Sequence, residues 1–446
     1  MKRVMVDMSA TILHHGHVRI LEKAKELGDQ VVVALTTDED VRRFKGYEPE
    51  LNFEYRRELL LALQMVDEVV PTPFYVTDEF LTEHNIDLLL HDSDNQNPID
   101  PSKLHIIERT KSVSSSEIRE RSMQCIVNSI NQKKKMFTPG PGCLLVENLI
   151  GLKPAFGRGD ESYAKVESRV LEKLSSLSGH ANVVRLQGSA TLALEIAIAN
   201  FVCGSVVVVD TGYYASRLYE LCKLSQKRKG AIIKLLRLSE GEFMDYNSPT
   251  DWVVSVYTET ARGYRAEIVR HRHKAEELSA KLLIDSTASI GLEDHHELGD
   301  VIAYSSCKGL FGLTGASFVA YHEKPQIEEP SFYLNLESHE QKKMTGPYHS
   351  ICGLDGVLTR QSDIRKAVQR SKELFSEHFS DYLVYPAKNQ PAISTKVNRK
   401  LKFHEGISYE PRESDGGSVV CHLGDTYLSL LGNETDTYYD CITLQD

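Results

Sequence analysis

The chain has 446 residues and a formal net charge of −11, from 52 Lys and Arg against 63 Asp and Glu. That length is too great for one ordinary core, so we expect two or three domains. The acidic balance argues against a large nucleic-acid-binding surface. Its eight cysteines form no CxxC pair, which argues against a disulfide framework or a structural zinc site. No apolar run approaches the roughly 18 residues of a membrane span, and the start lacks a signal-peptide core, so we expect a cytoplasmic protein.

The first part of the chain alternates between strand-like and helix-like segments. Short β-branched or apolar runs predict four strands, at residues 3–6, 30–35, 68–70 and 86–91. Apolar residues at helical spacing predict two helices, at residues 18–27 and about 53–65. This order is typical of βαβ units with a parallel sheet, and we expect it to form a first domain over residues 1–122.

A polar segment, residues 123–135, is predicted to be a linker that could include a short helix, and its run of three lysines is most simply a solvated face. An irregular loop, Thr138-Pro139-Gly140-Pro141-Gly142, then opens a second pattern. Helices are predicted at 163–177, 190–202 and 214–224, and strands at 205–209, 252–256, 282–285 and 301–305. We therefore expect residues 136–446 to form a larger α/β domain with a mainly parallel sheet. A smaller lobe over about 345–446 would begin with a long helix at 355–380.

The segment His14-His15-Gly16-His17 lies between a predicted strand and a predicted helix. A glycine there lets the backbone approach phosphate oxygens, and a helix start offers free N–H groups. The two flanking imidazoles could donate hydrogen bonds to a nucleotide phosphate as negative charge develops on it. Further along, residues 109–119 place several hydroxyls at another predicted helix start, although Ser116 could equally be a plain N-cap.

Together these segments resemble the HxGH cytidylyltransferases, and most of all those that act on phosphonates. The resemblance covers residues 1–122 and implies a Rossmann-like nucleotidyltransferase domain that uses CTP with Mg²⁺. By that resemblance the catalytic residues are His14, His17, Lys45 and Arg109. The implied nucleotide-binding residues are Ser9, Ala10, His14, Gly16, His17, Arg56, Ser114, Ser115 and Ser116. The family's His-Gly-Asp-Asp-Trp is replaced here by His91-Asp92-Ser93-Asp94-Asn95, and Ser112 replaces a glycine, which leaves the acceptor open.

A second constellation lies downstream, where Lys308 stands in Ser305-Ser306-Cys307-Lys308-Gly309. Asp285 ends a predicted buried strand, and a buried carboxylate needs a cationic partner such as a protonated pyridine nitrogen. A plain helix cap is the other interpretation of Asp285. The segment from Gly188 to Thr191 begins a predicted helix and could hold a phosphate, and Tyr213 or Tyr214 could stack on a cofactor ring or simply pack.

The downstream pattern resembles the class V, fold-type I aminotransferases that use pyridoxal phosphate (PLP), nearest to the 2-aminoethylphosphonate–pyruvate transaminases. The resemblance covers residues 136–446 and implies a homodimer in which Lys308 forms the Schiff base. It further implies that Asp285 holds the pyridinium and Tyr214 stacks, while phosphate is bound by Ser189, Ala190, Thr191, Ser305 and, across the dimer, Thr345.

Two motifs of that family are altered at the substrate end. The family's Glu-Thr-Thr-Thr-Gly appears as Glu259-Thr260-Ala261-Arg262-Gly263. Its late Phe-Arg-Ile-Gly, whose arginine binds the substrate carboxylate, appears as Cys421-His422-Leu423-Gly424. Arg262 and His422 are therefore the expected substrate-binding residues. A histidine cannot form the permanent bidentate clamp of an arginine, so the amino donor and the strength of the transaminase stay open.

The two resemblances imply a bifunctional enzyme of phosphonate metabolism. It would interconvert phosphonoacetaldehyde and 2-aminoethylphosphonate and then transfer CMP from CTP to 2-aminoethylphosphonate, releasing pyrophosphate. One alternative is a different acceptor, either 2-hydroxyethylphosphonate or phosphoethanolamine. In another, the C-terminal part is a weak transaminase or a dimerisation scaffold.

Overall fold

The computed structural model describes residues 1–111, 113–412, 416–432 and 436–445, apart from the side chain of Asp436, so Ser112 lies outside the described residues. The chain divides into two compact units, Met1–Met123 and Gln124–Asp446. Both are α/β. Within the described residues, no helix combines the length and apolar character needed to cross a bilayer.

The first unit is built on a parallel sheet of five strands. The strands are β1 (Arg3–Met8), β2 (Gln30–Thr36), β3 (Glu68–Thr72), β4 (Leu88–Asp92) and β5 (Leu104–Ile107). The helices are α1 (His15–Leu27), α2 (Asp38–Lys45), α3 (Phe53–Leu61), α4 (Asp78–Glu83) and α5 (Ser115–Gln132). All four strands and both helices predicted for this part are confirmed, with shifted ends.

The strand order of this sheet, β3-β2-β1-β4-β5, fixes where a ligand can bind. The valines of β1 and β2 are fully buried because helices cover both faces of the sheet. From β1 the chain moves to β2 on one side and later returns to β4 on the other. Such a reversal opens a crevice at the carboxyl ends of the two strands, here next to Met8 and Asp92.

The second unit carries a sheet of seven strands in the order β7-β15-β14-β13-β10-β8-β9. These are β7 (Asn182–Gln187), β8 (Gly204–Asp210), β9 (Ile232–Ser239), β10 (Trp252–Val256), β13 (Lys281–Asp285), β14 (Val301–Ser305) and β15 (Ala316–Tyr321). Six of the seven run in the same direction, and β15 is antiparallel to both of its neighbours. The short strands are β6 (Met136–Phe137), β11 (Thr258–Glu259), β12 (Tyr264–Arg265), β16 (Ser394–Val397), β17 (Leu401–Phe403), β18 (Ile407–Ser408), β19 (Ser418–Cys421) and β20 (Ile442–Leu444).

Ten helices of the second unit surround these sheets within the described residues. They are α6 (Val146–Ile150), α7 (Glu161–Ser178), α8 (Ala190–Phe201), α9 (Tyr213–Lys229), α10 (Glu240–Asp245), α11 (Ile268–Glu277), α12 (Leu336–Glu340), α13 (Tyr348–Val357), α14 (Gln361–His378) and α15 (Thr426–Leu430). The three helices predicted at α7, α8 and α9 are confirmed, as are the strands predicted at β8, β10, β13 and β14.

Two segments differ from their predicted structure. Residues 123–132, part of the expected linker, continue helix α5, in which Val127 is fully buried. The long helix expected at 355–380 is divided near residue 358 into α13 and α14. The reason lies in packing, because Ile351 and Leu354 of α13 belong to the core of the large sheet, whereas Ile364 and Val368 of α14 belong to a separate apolar cluster.

Candidate active sites

The first unit has a cavity of 640 Å³ at the carboxyl ends of β1 and β4, where the strand order reverses. Nearly all site residues predicted for this unit line it, from four separate stretches of chain. They are Ser9, Ala10, His14, Gly16, His17, Lys45, Arg109, Ser114, Ser115 and Ser116. Ala10, in the loop after β1, has a φ of 42°, a left-handed conformation that is uncommon for a non-glycine residue.

The rings of His14 and His17 lie in close, tilted contact at the start of α1. Their ring centroids are 3.9 Å apart, and the backbone N–H of His14 donates to Nδ1 of His17 at 3.3 Å. Burial, together with the nearby charges of His14 and Lys45, lowers the pKa of His17 to about 3. His17 is therefore neutral at pH 7. Because its Nδ1 accepts a hydrogen bond, its proton lies on Nε2, which is free to donate to a phosphate oxygen.

The starts of two helices, α1 and α5, line this cavity. At the start of α1 an added Cβ on Gly16 would lie 3.0 Å from Nδ1 of His14, so any side chain at residue 16 would push against that imidazole. At the start of α5 the backbone N–H of Glu117 donates to Oγ of Ser114 at 3.1 Å. Ser114 is thus the N-cap rather than Ser116, and both serines line the cavity. Free N–H groups at two helix starts favour an anion there.

Two further cations line the same cavity. Burial lowers the pKa of Lys45, the last residue of α2, and its Nζ lies 5.9 Å from the centroid of Phe74. Arg109 has a half-exposed side chain whose Nη1 donates to the Asp94 carboxylate at 3.2 Å. Together with the imidazoles these groups give one side of the cavity the positive character that a triphosphate needs.

The cavity also has an acidic side, which sequence reasoning missed although the altered 91–95 segment pointed to it. Asp7 accepts from the Asn97 amide at 2.9 Å and lies 3.5 Å from Nε2 of His91. The other oxygen of Asp7 is buried and has no hydrogen-bond partner in the described part of the chain, and burial raises the pKa of this carboxyl. Possible ligand atoms of His91, Asp92 and Asp94 all lie within 4.8 Å of one another.

Arg56 is the predicted nucleotide-binding residue that the structure does not bring to the cavity. Its guanidinium is fully buried and donates to the carbonyls of Leu51 and Thr36 at 3.0 Å, to the carbonyl of Ser9, and to the carboxylate of Asp38. Every one of these partners belongs to the protein. Arg56 therefore supports the loop after β1 from behind, rather than contacting a ligand.

The second unit has a cavity of 590 Å³ at the carboxyl ends of β13 and β14. It brings together most of the residues predicted for a PLP site. They are Ser189, Ala190, Thr191, Tyr214, Asp285, Ser305 and Lys308. They come from the start of α8, the start of α9, the ends of two strands and the loop after β14.

One end of this cavity is formed by the start of α8, whose N-cap is Ser189. The first N–H groups of a helix have no acceptor within it, so they favour an anion. Nη1 of Arg217 donates to Oγ1 of Thr191 at 2.7 Å, and its guanidinium lies 4.5 Å from the centroid of Tyr214. Arg217, which sequence reasoning missed, therefore adds a positive charge where a phosphate would bind.

Tyr214 is held by a buried acid. The backbone N–H of Tyr214 donates to Oε2 of Glu259 at 2.9 Å, and Glu259 is fully buried. Burial raises the pKa of Glu259 to about 7, because removing the carboxylate charge from water is unfavourable. Hydrogen bonds from three backbone N–H groups offset only part of that effect. Nζ of Lys308 lies 5.8 Å from the Tyr214 centroid, so the ring and the amine face the same space.

The residues of this cavity fit PLP. The Asp285 carboxylate is 7% exposed, accepts from the Thr287 N–H at 2.9 Å, and forms no ion pair within the described residues. The hydroxyls of Thr258 and Thr287, which also line the cavity, are buried and lack a hydrogen-bond partner in the described ranges. A protonated pyridine nitrogen and polar ring substituents would satisfy these groups. An added Cβ on Gly140 would lie 2.9 Å from Cγ of Lys308, so the Gly140 loop closes on that lysine.

The predicted substrate-binding residues of this unit do not reach the cavity. His422 is fully buried, with its ring nitrogens 2.9 Å from Oγ1 of Thr395 and 3.0 Å from the Tyr439 hydroxyl, and burial lowers its pKa to about 3. A neutral histidine enclosed by protein cannot bind a carboxylate. Arg262 is exposed and does not line the cavity. Thr345, expected to contact the cofactor phosphate of a partner subunit, is exposed in this chain, and that role stays a prediction.

Comparison with known proteins identifies the first unit. Residues 9–121 match the family described as cytidylyltransferase-like. Glycerol-3-phosphate cytidylyltransferase from Bacillus subtilis is 33% identical over 127 residues, which are 27% of this chain and 96% of that protein. Ethanolamine-phosphate cytidylyltransferase from Dictyostelium discoideum is 34% identical over 134 residues, 28% of this chain but only 37% of that protein. Through its first unit, the chain belongs to the cytidylyltransferase-like family.

The second unit has the fold of aminotransferases. Alanine–glyoxylate aminotransferase from Nostoc sp. superposes with a TM-score of 0.58 at 16% sequence identity, covering 67% of this chain and 93% of that one. Identity this low shows the fold alone. The chain therefore joins a cytidylyltransferase-like unit to an aminotransferase-like unit.

Proposed function

We propose that the chain is a bifunctional enzyme of phosphonate metabolism. Its second unit would interconvert phosphonoacetaldehyde and 2-aminoethylphosphonate by PLP-dependent amino transfer. Its first unit would transfer CMP from CTP to 2-aminoethylphosphonate. In that step a phosphonate oxygen bonds to the α-phosphorus while the bond to the bridging oxygen of the β-phosphate breaks, so pyrophosphate leaves.

In the first unit the described residues would act by positioning and charge. Neutral His17 would donate from Nε2 to a phosphate oxygen, with His14 beside it. Lys45 and Arg109 would balance the negative charge that grows on the pyrophosphate. The carboxylates of Asp92 and Asp94 are the oxygen donors that Mg²⁺ prefers, so they could help to hold Mg²⁺ with the triphosphate.

The observation that carries the choice of acceptor is the acidic side of the same cavity. A glycerol phosphate offers only hydroxyls beyond its phosphate, and these leave a carboxylate charge uncompensated. 2-Aminoethylphosphonate offers an ammonium. Asp7 lines the cavity, and its second oxygen is buried with no hydrogen-bond partner among the described residues, so an ammonium there would gain a charge-assisted hydrogen bond. This favours an aminated acceptor.

In the second unit, PLP supplies the electron sink for moving an amino group. The start of α8, with Thr191 and Arg217, would bind its phosphate. Asp285 would pair with the pyridine nitrogen, and Tyr214 would lie on the ring. Lys308, the one lysine of the described chain that lines this cavity, would bond to the cofactor and carry the proton between carbon atoms.

The first test is ³¹P NMR of the protein with CTP and Mg²⁺, mixed in turn with 2-aminoethylphosphonate, phosphoethanolamine and 2-hydroxyethylphosphonate. We expect pyrophosphate and a coupled phosphonate–phosphate pair with the first acceptor. His17→Asn should abolish turnover, whereas His15→Asn, a change at the exposed neighbour, should not. Turnover of only the hydroxylated acceptor would contradict the proposed role of the acidic side.

The second test separates an aminotransferase from a scaffold. With PLP added, the protein should gain a visible absorption band, and borohydride should bleach that band while fixing the cofactor covalently to a peptide containing Lys308. Lys308→Ala should lose the band, and Lys234→Ala, at an exposed lysine of the same unit, should keep it. A colourless protein would favour the dimerisation scaffold.

A further inference from the structure

An amino donor or acceptor for the second unit carries a carboxylate or a phosphonate, and such a group needs a cation in the cavity. Within the described residues, three cationic side chains line it, Lys308, Arg217 and Arg412. Lys308 is committed to the cofactor under the proposed function. Arg217 is tied to Thr191 at the phosphate end, 4.5 Å from the centroid of Tyr214. Arg412 is therefore the cation of the set that is left for the substrate.

The surroundings of Arg412 suit that role. Its Nη1 donates to the Tyr213 hydroxyl at 2.7 Å, and its guanidinium lies 5.3 Å from the centroid of the Tyr213 ring. Tyr213 stands edge-on to Tyr214, with centroids 5.3 Å apart, so the arginine is connected to the Tyr214 ring through one aromatic contact. Among the described residues Arg412 forms no ion pair, and its side chain is exposed at the cavity. Most of its donors are thus open to an incoming anion.

We propose that Arg412 binds the anionic group of the substrate in the second unit, taking the place that His422 and Arg262 were expected to fill. An arginine presents a planar fork of N–H donors that matches a carboxylate or a phosphonate in bidentate fashion. Tyr213 holds this fork in position before the substrate arrives. The inference rests on the proposed function of the second unit and names the residue that makes it selective for anionic amines.

The test compares charged and uncharged amines of similar shape on the full chain loaded with PLP. The amines are alanine against alaninamide, and 2-aminoethylphosphonate against propan-1-amine, and the change in the visible band gives the apparent Kd and rate of each. Arg412→Gln should raise the apparent Kd of the anionic amines by about tenfold or more, as expected for a lost charge-assisted contact. The uncharged amines should change by less than about twofold, and Arg412→Lys should lie between.

Arg399→Gln, at an exposed arginine outside the cavity, is the matched control and should behave as wild type. An effect of Arg412→Gln on only one of the two anions would tell whether the carboxylate or the phosphonate is the group bound, and would support the inference. Equal losses for charged and uncharged amines, or no difference from the Arg399 control, would overturn it. Failure of wild type to take up PLP would instead refute the proposed function itself, and the inference with it.

Discussion

Arg56 provides a sharp test of how the first unit is held together. Its buried guanidinium bonds three backbone carbonyls and the Asp38 carboxylate. Arg56→Met would leave those carbonyls and a mostly buried charge without a partner. Removing one member of such a pair costs about 3–5 kcal/mol, because the remaining charge stays out of water. Arg57→Met, at the next residue of α3, removes only an exposed arginine 3.9 Å from Glu54 and should cost less than about 0.5 kcal/mol.

Hydrogen exchange followed by mass spectrometry measures this effect separately in the two units. A loss of 3–5 kcal/mol should speed exchange of the slowest amides of β1 and β2 by roughly 10²- to 4 × 10³-fold. The strands around Trp252, the chain's one tryptophan, should keep their protection. The double variant that combines Arg56→Met with Asp38→Asn should lose less stability than the sum of the losses in the two single variants, because the two side chains share one interaction. Equal exchange in Arg56→Met and Arg57→Met would refute the structural role.

Three further outcomes follow from the same structure. Gly16→Ala places a Cβ 3.0 Å from Nδ1 of His14, so kcat/KM for CTP should fall at least about tenfold while the thermal midpoint changes little, measured by pyrophosphate release and by melting. Burial raises the pKa of Asp425 to about 7, so its contribution to stability is full below about pH 4 and is lost as pH rises to 7. Asp425→Asn should therefore match wild type at low pH and exceed it by up to about 4 kcal/mol at pH 8, in urea unfolding followed by Trp252 fluorescence. His422→Arg should destabilise the second unit by about 3 kcal/mol or more, without improving donor binding, because it buries an unpaired charge.

Much of the fold could be read from the sequence because its central strands are short apolar runs rich in β-branched residues. Residues 252–256 and 301–305 are strands over the predicted ranges. The predicted set lacked β7 and β15, which form the antiparallel edge of the large sheet. Asn182 and Arg185 interrupt the apolar character of β7, and β15 mixes alanine and serine with aromatic residues, so neither shows a clear period. Their place in the sheet depends on partners far along the chain.

The site was predicted where a local motif carries it and missed where distant residues complete it. In the His-x-Gly-His loop and in the loop around Lys308, the site residues are close together along the chain. Their spacing therefore predicted both sites. Arg56 and His422 show the opposite case, because a charged or titratable residue buried among protein carbonyls or hydroxyls looks the same in sequence as one that binds a ligand. Asp7 and Arg412 reach their cavities only through the folded chain, and no local pattern marks them.

The central claim is that two reactions on one phosphonate are joined in this chain. The most direct measurement is ³¹P NMR of a single mixture of phosphonoacetaldehyde, an amino donor, PLP, CTP and Mg²⁺ with the full protein. The proposed function predicts 2-aminoethylphosphonate and then its CMP derivative with pyrophosphate. The Lys308→Ala variant should leave the aldehyde unchanged yet still convert added 2-aminoethylphosphonate to its CMP derivative. The His17→Asn variant should form 2-aminoethylphosphonate but not its CMP derivative. The claim would be contradicted if the wild-type protein did not transfer CMP to 2-aminoethylphosphonate, or if it left phosphonoacetaldehyde unchanged.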